Sequence, residues 1–168
     1  MLIYFAAPLF CQAERAFNLQ LTLELEEREF TVFLPQRDGV ELGKPPYDEM
    51  SGDELCRAIF ALDRDKVLEA DILLFVLDGR VPDEGACVEL GIAYGQTHLL
   101  QREKLLIGLQ TDMRTAYAFT GTKLNALIHG ALDTVADNET DLLAALEEYR
   151  QTGTRPSNKF TSENRPTL

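Results

Sequence analysis

Carboxylates crowd the segment DILLFVLDGRVPDEGACVELGIAYG (71–95), where Asp78, Asp83, Glu84 and Glu89 follow an apolar run and flank a turn that leads into a helical pattern. Such side chains act as general acids, general bases or nucleophiles. They stand at the carboxyl end of a predicted strand, where open α/β sheets bind small molecules. A phosphate cradle would want glycines and a lysine at this turn, so the carboxylates suit work on a neutral or cationic group.

Glu89 falls in the run ACVELGIAYG, early in the predicted helix. The helix dipole is expected to lower its pKa and keep it ionised. Val88, Ile92 and Tyr94 are expected on the core side, with Gly85 and Ala86 small enough to admit another group. Each acid also has a plain structural role. Asp83 suits a helix N-cap and Asp78 a turn before Gly79, while Glu84, Glu89 and Asp63 suit helix surfaces.

Positioning these groups requires a scaffold, and the chain alternates strand and helix patterns. Strands are predicted at 2–7, 30–34, 72–77, 105–109 and 133–136. Helices are predicted at 12–27, 51–70, 84–98 and 139–150, with a helical turn at 124–131. On the 51–70 helix, Leu55, Ile59, Leu62, Val67 and Leu68 are expected to face inward, with Ser51 or Asp53 as the cap. The pattern predicts a doubly wound α/β domain, a flavodoxin-like five-stranded parallel sheet with helices on both faces, over residues 1–150. In that order the first and third strands are neighbours, so Tyr4, Pro8 and Leu9 come beside Asp78 and Glu89. The polar loop at 36–52 has a length that suits a lid, and the tail 151–168 is polar and aperiodic.

Composition closes off several classes. The chain has 168 residues, 45% of them apolar, and a net charge of -12, which repels a nucleic-acid polymer. No apolar run is long enough to span a membrane, and MLIYFAAPLF lacks a basic lead, so it is expected to be a strand of a cytoplasmic protein rather than a signal peptide. Cys11, Cys56 and Cys87 form no CxxC pair and are expected to be reduced and mostly buried. The first strand ends in AAPLF without GxGxxG; GxxxxGK and GxSxG are absent too, and His98 and His129 stand alone. No metal or cofactor is expected.

The runs IYFAAPLF and VFLPQRDG, Asp63 ahead of ADILLFVLDGRVPDEGACVELGIAYG, and LNALIHGAL together resemble the nucleoside 2-deoxyribosyltransferase family, over roughly residues 2–132. The spacing of Asp83, Gly85, Glu89, Gly91 and Ala93 is the most specific part. The resemblance implies that Glu89 attacks the anomeric carbon of a deoxynucleoside, that Tyr4 orients it, and that Asp63 and Asp83 hold the nucleobase and move its proton. It also implies that Asn125, with Leu127 beside it, reaches a neighbouring subunit's site in a homo-oligomer. Asp78 and the DGR that it opens also resemble the family's loop, and Asp78, Pro8 and Leu9 are expected among the substrate-binding residues. The reaction implied is 2-deoxyribosyl transfer between nucleobases through a glycosyl-Glu89 intermediate, in nucleotide salvage. The alternatives are an N-glycosidase acting on deoxynucleosides or their 5′-monophosphates, and a non-catalytic nucleoside-derivative sensor. AAPLF in place of the Gly- and Ser-rich first loop of the monophosphate hydrolases, and Asn125 in place of their serine, favour an unphosphorylated substrate.

Overall fold

The computed structural model describes residues 1–41, 43–112 and 124–156. Five parallel strands, β1 (Leu2–Ala6), β2 (Thr31–Phe33), β3 (Ile72–Val76), β4 (Leu105–Leu109) and β5 (Thr134–Ala136), form one sheet in the order β2-β1-β3-β4-β5. The register pairs Tyr4 with Leu73 and Leu74 with Ile107. This is the doubly wound, flavodoxin-like order expected from the alternation of patterns.

Strand side chains alternate between faces, and each face has its own core. Ile3, Phe5, Leu74 and Ile107 meet α1 (Gln12–Glu27) and the C-terminal helix through Leu21, Leu25, Leu142 and Leu146. Tyr4, Ala6, Leu73 and Phe75 meet the opposite layer through Val67, Ala86, Leu90 and Ala93. That layer holds α3 (Gly52–Glu69), α4 (Glu84–Leu99) and α5 (Ala126–Ala131). A one-turn helix, α2 (Pro35–Asp38), follows β2, and α6 (Glu139–Thr152) closes the order.

Caps set the helix starts. Ser51 accepts from the Glu54 N–H in a capping box, and Asp83 accepts from the Ala86 N–H. The inward face expected for α3 is formed only in part, with Leu62 packed against the core of this layer. Of its own residues only Val67 is fully buried; Leu55, Leu62 and Leu68 are half-buried, and Ile59 is 37% exposed. In α4 the core side is Ala86, Leu90 and Ala93, whereas Val88 and Tyr94 are exposed and Ile92 only partly buried. Small side chains let α4 lie close to the sheet, which turns the larger ones outward. The cysteines are also more accessible than expected. Cys11 caps α1 with its Sγ and is exposed, Cys56 is exposed on α3, and Cys87 is half-buried.

In the expected tail, α6 continues to Thr152, and Arg155 pairs with Glu103 at 3.1 Å and Asp133 at 3.5 Å. Residues 157–168 lie outside the described residues. Among those described, no helix is long and apolar enough to cross a membrane.

Candidate active site

At the carboxyl end of β1 the chain divides two cavities. Ala7 and Leu9 face a cleft of about 440 Å³ on the α3/α4 side, and Pro8 faces a smaller cavity on the α1 side. The cleft brings together Glu89 from α4, Asp83 and Gly85 at the start of α4, and Asp63 and Ile59 from α3. Phe10, Pro35, Gly39 and Val40 complete its walls. Among the described residues none of the lining side chains is basic.

Tyr4 lies in the core behind Glu89. Its ring is fully buried and stacks on Phe33 at 5.6 Å, and its hydroxyl donates to Glu89 Oε1 at 2.6 Å. Burial, then Glu89 and Asp63, push the phenol pKa far up, so the hydroxyl remains a donor.

Glu89 departs from the sequence expectation. Burial pushes its pKa up to about 7, with Asp63 and Asp83 adding to the rise and the Tyr4 hydrogen bond opposing it. The dipole acts within the first turn of a helix, and Glu89 lies beyond it in a helix that starts at Glu84. Desolvation and two neighbouring acids therefore win. Asp63 is likewise raised by burial, while the nearby Tyr4 hydroxyl pulls it down. The cleft thus sets Glu89 beside two further carboxyls whose negative charge favours its protonated form.

Asp83 is both the N-cap of α4 and a wall of the cleft. Its Oδ1 accepts from the Ala86 N–H at 2.9 Å, which leaves its other oxygen for a ligand. A Cβ at position 85 would meet that Oδ1 at 3.1 Å, so Gly85 lets the carboxylate lie over the helix end.

The remaining predicted residues lie elsewhere. Asp78 lines the α1-side cavity with Pro8, and its carboxylate accepts from the Thr111 and Asp112 N–H groups and from the Thr111 hydroxyl. It ties the loop after β3 to the loop after β4. Asn125 caps α5 by accepting from the Leu127 N–H at 2.9 Å, and neither residue lines the cleft of its own chain. Phe10, Pro35, Gly39, Val40 and Ile59 were not among the predicted site residues; the signals that could have found them were the runs IYFAAPLF, which ends in Phe10, and VFLPQRDG, which holds Pro35 and Gly39, and the place of Gly39 and Val40 in the polar 36–52 loop. Among the described residues no group of three or more His, Cys, Asp or Glu side chains could hold a metal ion.

The family model described as nucleoside 2-deoxyribosyltransferase matches residues 3–158. The chain belongs to the nucleoside 2-deoxyribosyltransferase family. The match extends beyond the residue pattern at 2–132 to include α6. A conserved protein from Enterococcus faecalis V583 is similar in structure, with 25% identity, a TM-score of 0.68, and coverage of 88% of this chain and 97% of that one. The 2-deoxyribosyltransferase of Bacillus psychrosaccharolyticus shares the fold at 22% identity and a TM-score of 0.64, over 84% of this chain and 90% of that one. No curated protein matches the sequence.

Proposed function

We propose that this member of the family transfers the 2-deoxyribosyl group between nucleobases by two displacements at Glu89. The observation that carries the reading is the Tyr4–Glu89 hydrogen bond, which aims one carboxylate into a cleft walled by two further carboxyls. Ionised Glu89 attacks C1′ of the deoxynucleoside. The C1′–N bond breaks, its electron pair leaves with the base, and Asp63 or Asp83, acting as general acid, supplies the proton. The incoming base then attacks C1′, the ester bond to Glu89 breaks, and the base returns its proton to the waiting carboxylate. Two inversions retain configuration, as in retaining glycosidases.

The acidic lining favours an unphosphorylated nucleoside, because a phosphate dianion would meet carboxylates with no lysine or arginine among the described lining residues. It also suits the oxocarbenium-like transition state, whose positive charge the carboxylates stabilise. Asn125 and exposed Leu127 are proposed to serve the cleft of a second copy, which makes the working enzyme an oligomer in the cytoplasm.

Incubation with deoxyinosine and adenine, followed by chromatography, tests the reading. Deoxyadenosine formation supports transfer, deoxyribose alone would establish hydrolysis instead, and no turnover would leave a sensor. Glu89→Ala should abolish turnover and preserve the fold.

A further inference from the structure

The helix that carries Asp63 is poorly held by its own side chains. α3 runs for 18 residues, yet Val67 is the only one of them fully buried. Its last turn is held from outside. Helix-terminal carbonyls lack partners within the helix, and three consecutive ones accept from distant side chains. Lys104 Nζ donates to the Val67 carbonyl, Gln96 Nε2 to that of Leu68 at 3.0 Å, and Arg102 to that of Glu69 at 3.2 Å.

Lys104 is the unusual member. It is the one charged side chain among the described residues that is fully buried. It sits just before β4, at the end of the sheet opposite the cleft. Its acceptor is a backbone carbonyl, and burial with nearby Arg102 pushes its pKa down to about 8 against the opposing pull of Asp71. Burying an ammonium group costs more than burying a methionine of similar length, so a gain elsewhere must offset it.

That gain lies one helical turn away. Ile59, Asp63 and Val67 follow one another at four-residue spacing and share a stripe of α3. Val67 enters the core and the other two line the cleft. About 6 Å of rise separates Asp63 from the gripped turn, so a tilt there moves the Asp63 carboxyl relative to Tyr4 and Glu89.

We propose that Lys104 is a positioning residue: by holding the Val67 carbonyl from the far end of the sheet, it sets the place of Asp63 opposite the Tyr4–Glu89 pair. The inference rests on the catalytic reading of Asp63 given above.

A double-mutant cycle tests it, with kcat and KM measured against varied nucleobase. Lys104→Met should lower kcat/KM about tenfold or more, since small misplacements are costly in catalysis, and most of the loss should enter through KM for the base. In an Asp63→Asn background the same substitution should change kcat/KM less than about twofold. An equal loss in both backgrounds, or wild-type kinetics for Lys104→Met, would overturn the proposal. Hydrogen exchange judges the clamp without turnover: amides of 55–69 should exchange faster in Lys104→Met than in wild type while those of β1 and β3 do not, and unchanged α3 exchange would reject it. If Lys104→Met does not fold, Gln96→Leu and Arg102→Met, which remove the neighbouring donors, should give smaller shifts in the same direction; none in either would reject the clamp. Absence of any turnover in wild type would remove the catalytic reading alone, since the exchange experiment still decides the clamp.

Discussion

The Tyr4 hydroxyl donates to Glu89 Oε1 at 2.6 Å across 85 positions of sequence. The contact exists because β1 and β3 are neighbours and Tyr4 points to the α3/α4 face, where α4 returns over the sheet. A phenol held protonated by its surroundings keeps its O–H to donate at working pH, so it stabilises the ionised glutamate.

Tyr4→Phe should therefore slow the reaction and shift its pH dependence together. Ionised Glu89 is the attacking form, so kcat/KM should rise with pH through about 7 in the wild type. The Tyr4 hydrogen bond lowers the Glu89 pKa, and removing it should move this acidic limb to higher pH. A drop in kcat/KM of roughly tenfold to a hundredfold is expected at pH 7, shrinking as the pH is raised. A pH–rate profile of both proteins checks this, and an unshifted limb would count against the role given to Tyr4.

Glu89→Gln should make the protein more stable as it becomes inactive. The folded-state pKa is raised above the usual 4.5 to about 7. Between those values the folded chain holds more protons than the unfolded one, so stability falls as pH rises through the window. Above pH 7 the wild type carries the whole penalty, on the order of 2 kcal/mol after allowance for solvent screening. A glutamine has no charge to bury, and its carbonyl can still accept from Tyr4. Urea melts at pH 5 and pH 8 should show the variant gaining on wild type mainly at the higher pH.

The central strands were legible because LIYFA, ILLFV and LLIGL are apolar on both faces, as strands covered by helices on each side must be. The helix faces were less so. Large apolar residues are expected to turn inward, yet in α4 two alanines share the core side with Leu90 and Val88 is 56% exposed. The ionisation of Glu89 was hidden for another reason. It depends on desolvation and on Asp63, which belongs to a helix whose approach no local pattern encodes. The convergence of Tyr4, Asp63, Asp83 and Glu89 did follow from strand order plus family resemblance. Ile59 carried no comparable signal, since an apolar residue on a helix reads as core, and Phe10 stood only as the end of the IYFAAPLF run.

Asp83 has two duties that substitutions can separate. Asparagine caps a helix about as well as aspartate, so Asp83→Asn should melt within about a degree of wild type while losing proton transfer to the base. Asp83→Ala removes the bond to the Ala86 N–H as well and should cost about 1 kcal/mol in stability. Thermal melts beside transfer rates resolve the pair. Full activity in Asp83→Asn would reduce the residue to a cap.

Sharing of sites between copies can be tested with two inactive variants. Asn125 caps α5 outside the cleft of its own chain, and Leu127 beside it is 84% exposed. If Asn125 completes a neighbour's site, Glu89→Ala and Asn125→Ala homo-oligomers should each be nearly inactive. When the two are unfolded together and refolded as mixed dimers, one site of each hybrid joins an intact Glu89 to an intact Asn125. For random pairing, half of all dimers are hybrids with one working site in two, so about a quarter of wild-type activity should return. No recovery, with hybrids confirmed by native mass spectrometry, would place Asn125 in the service of its own chain.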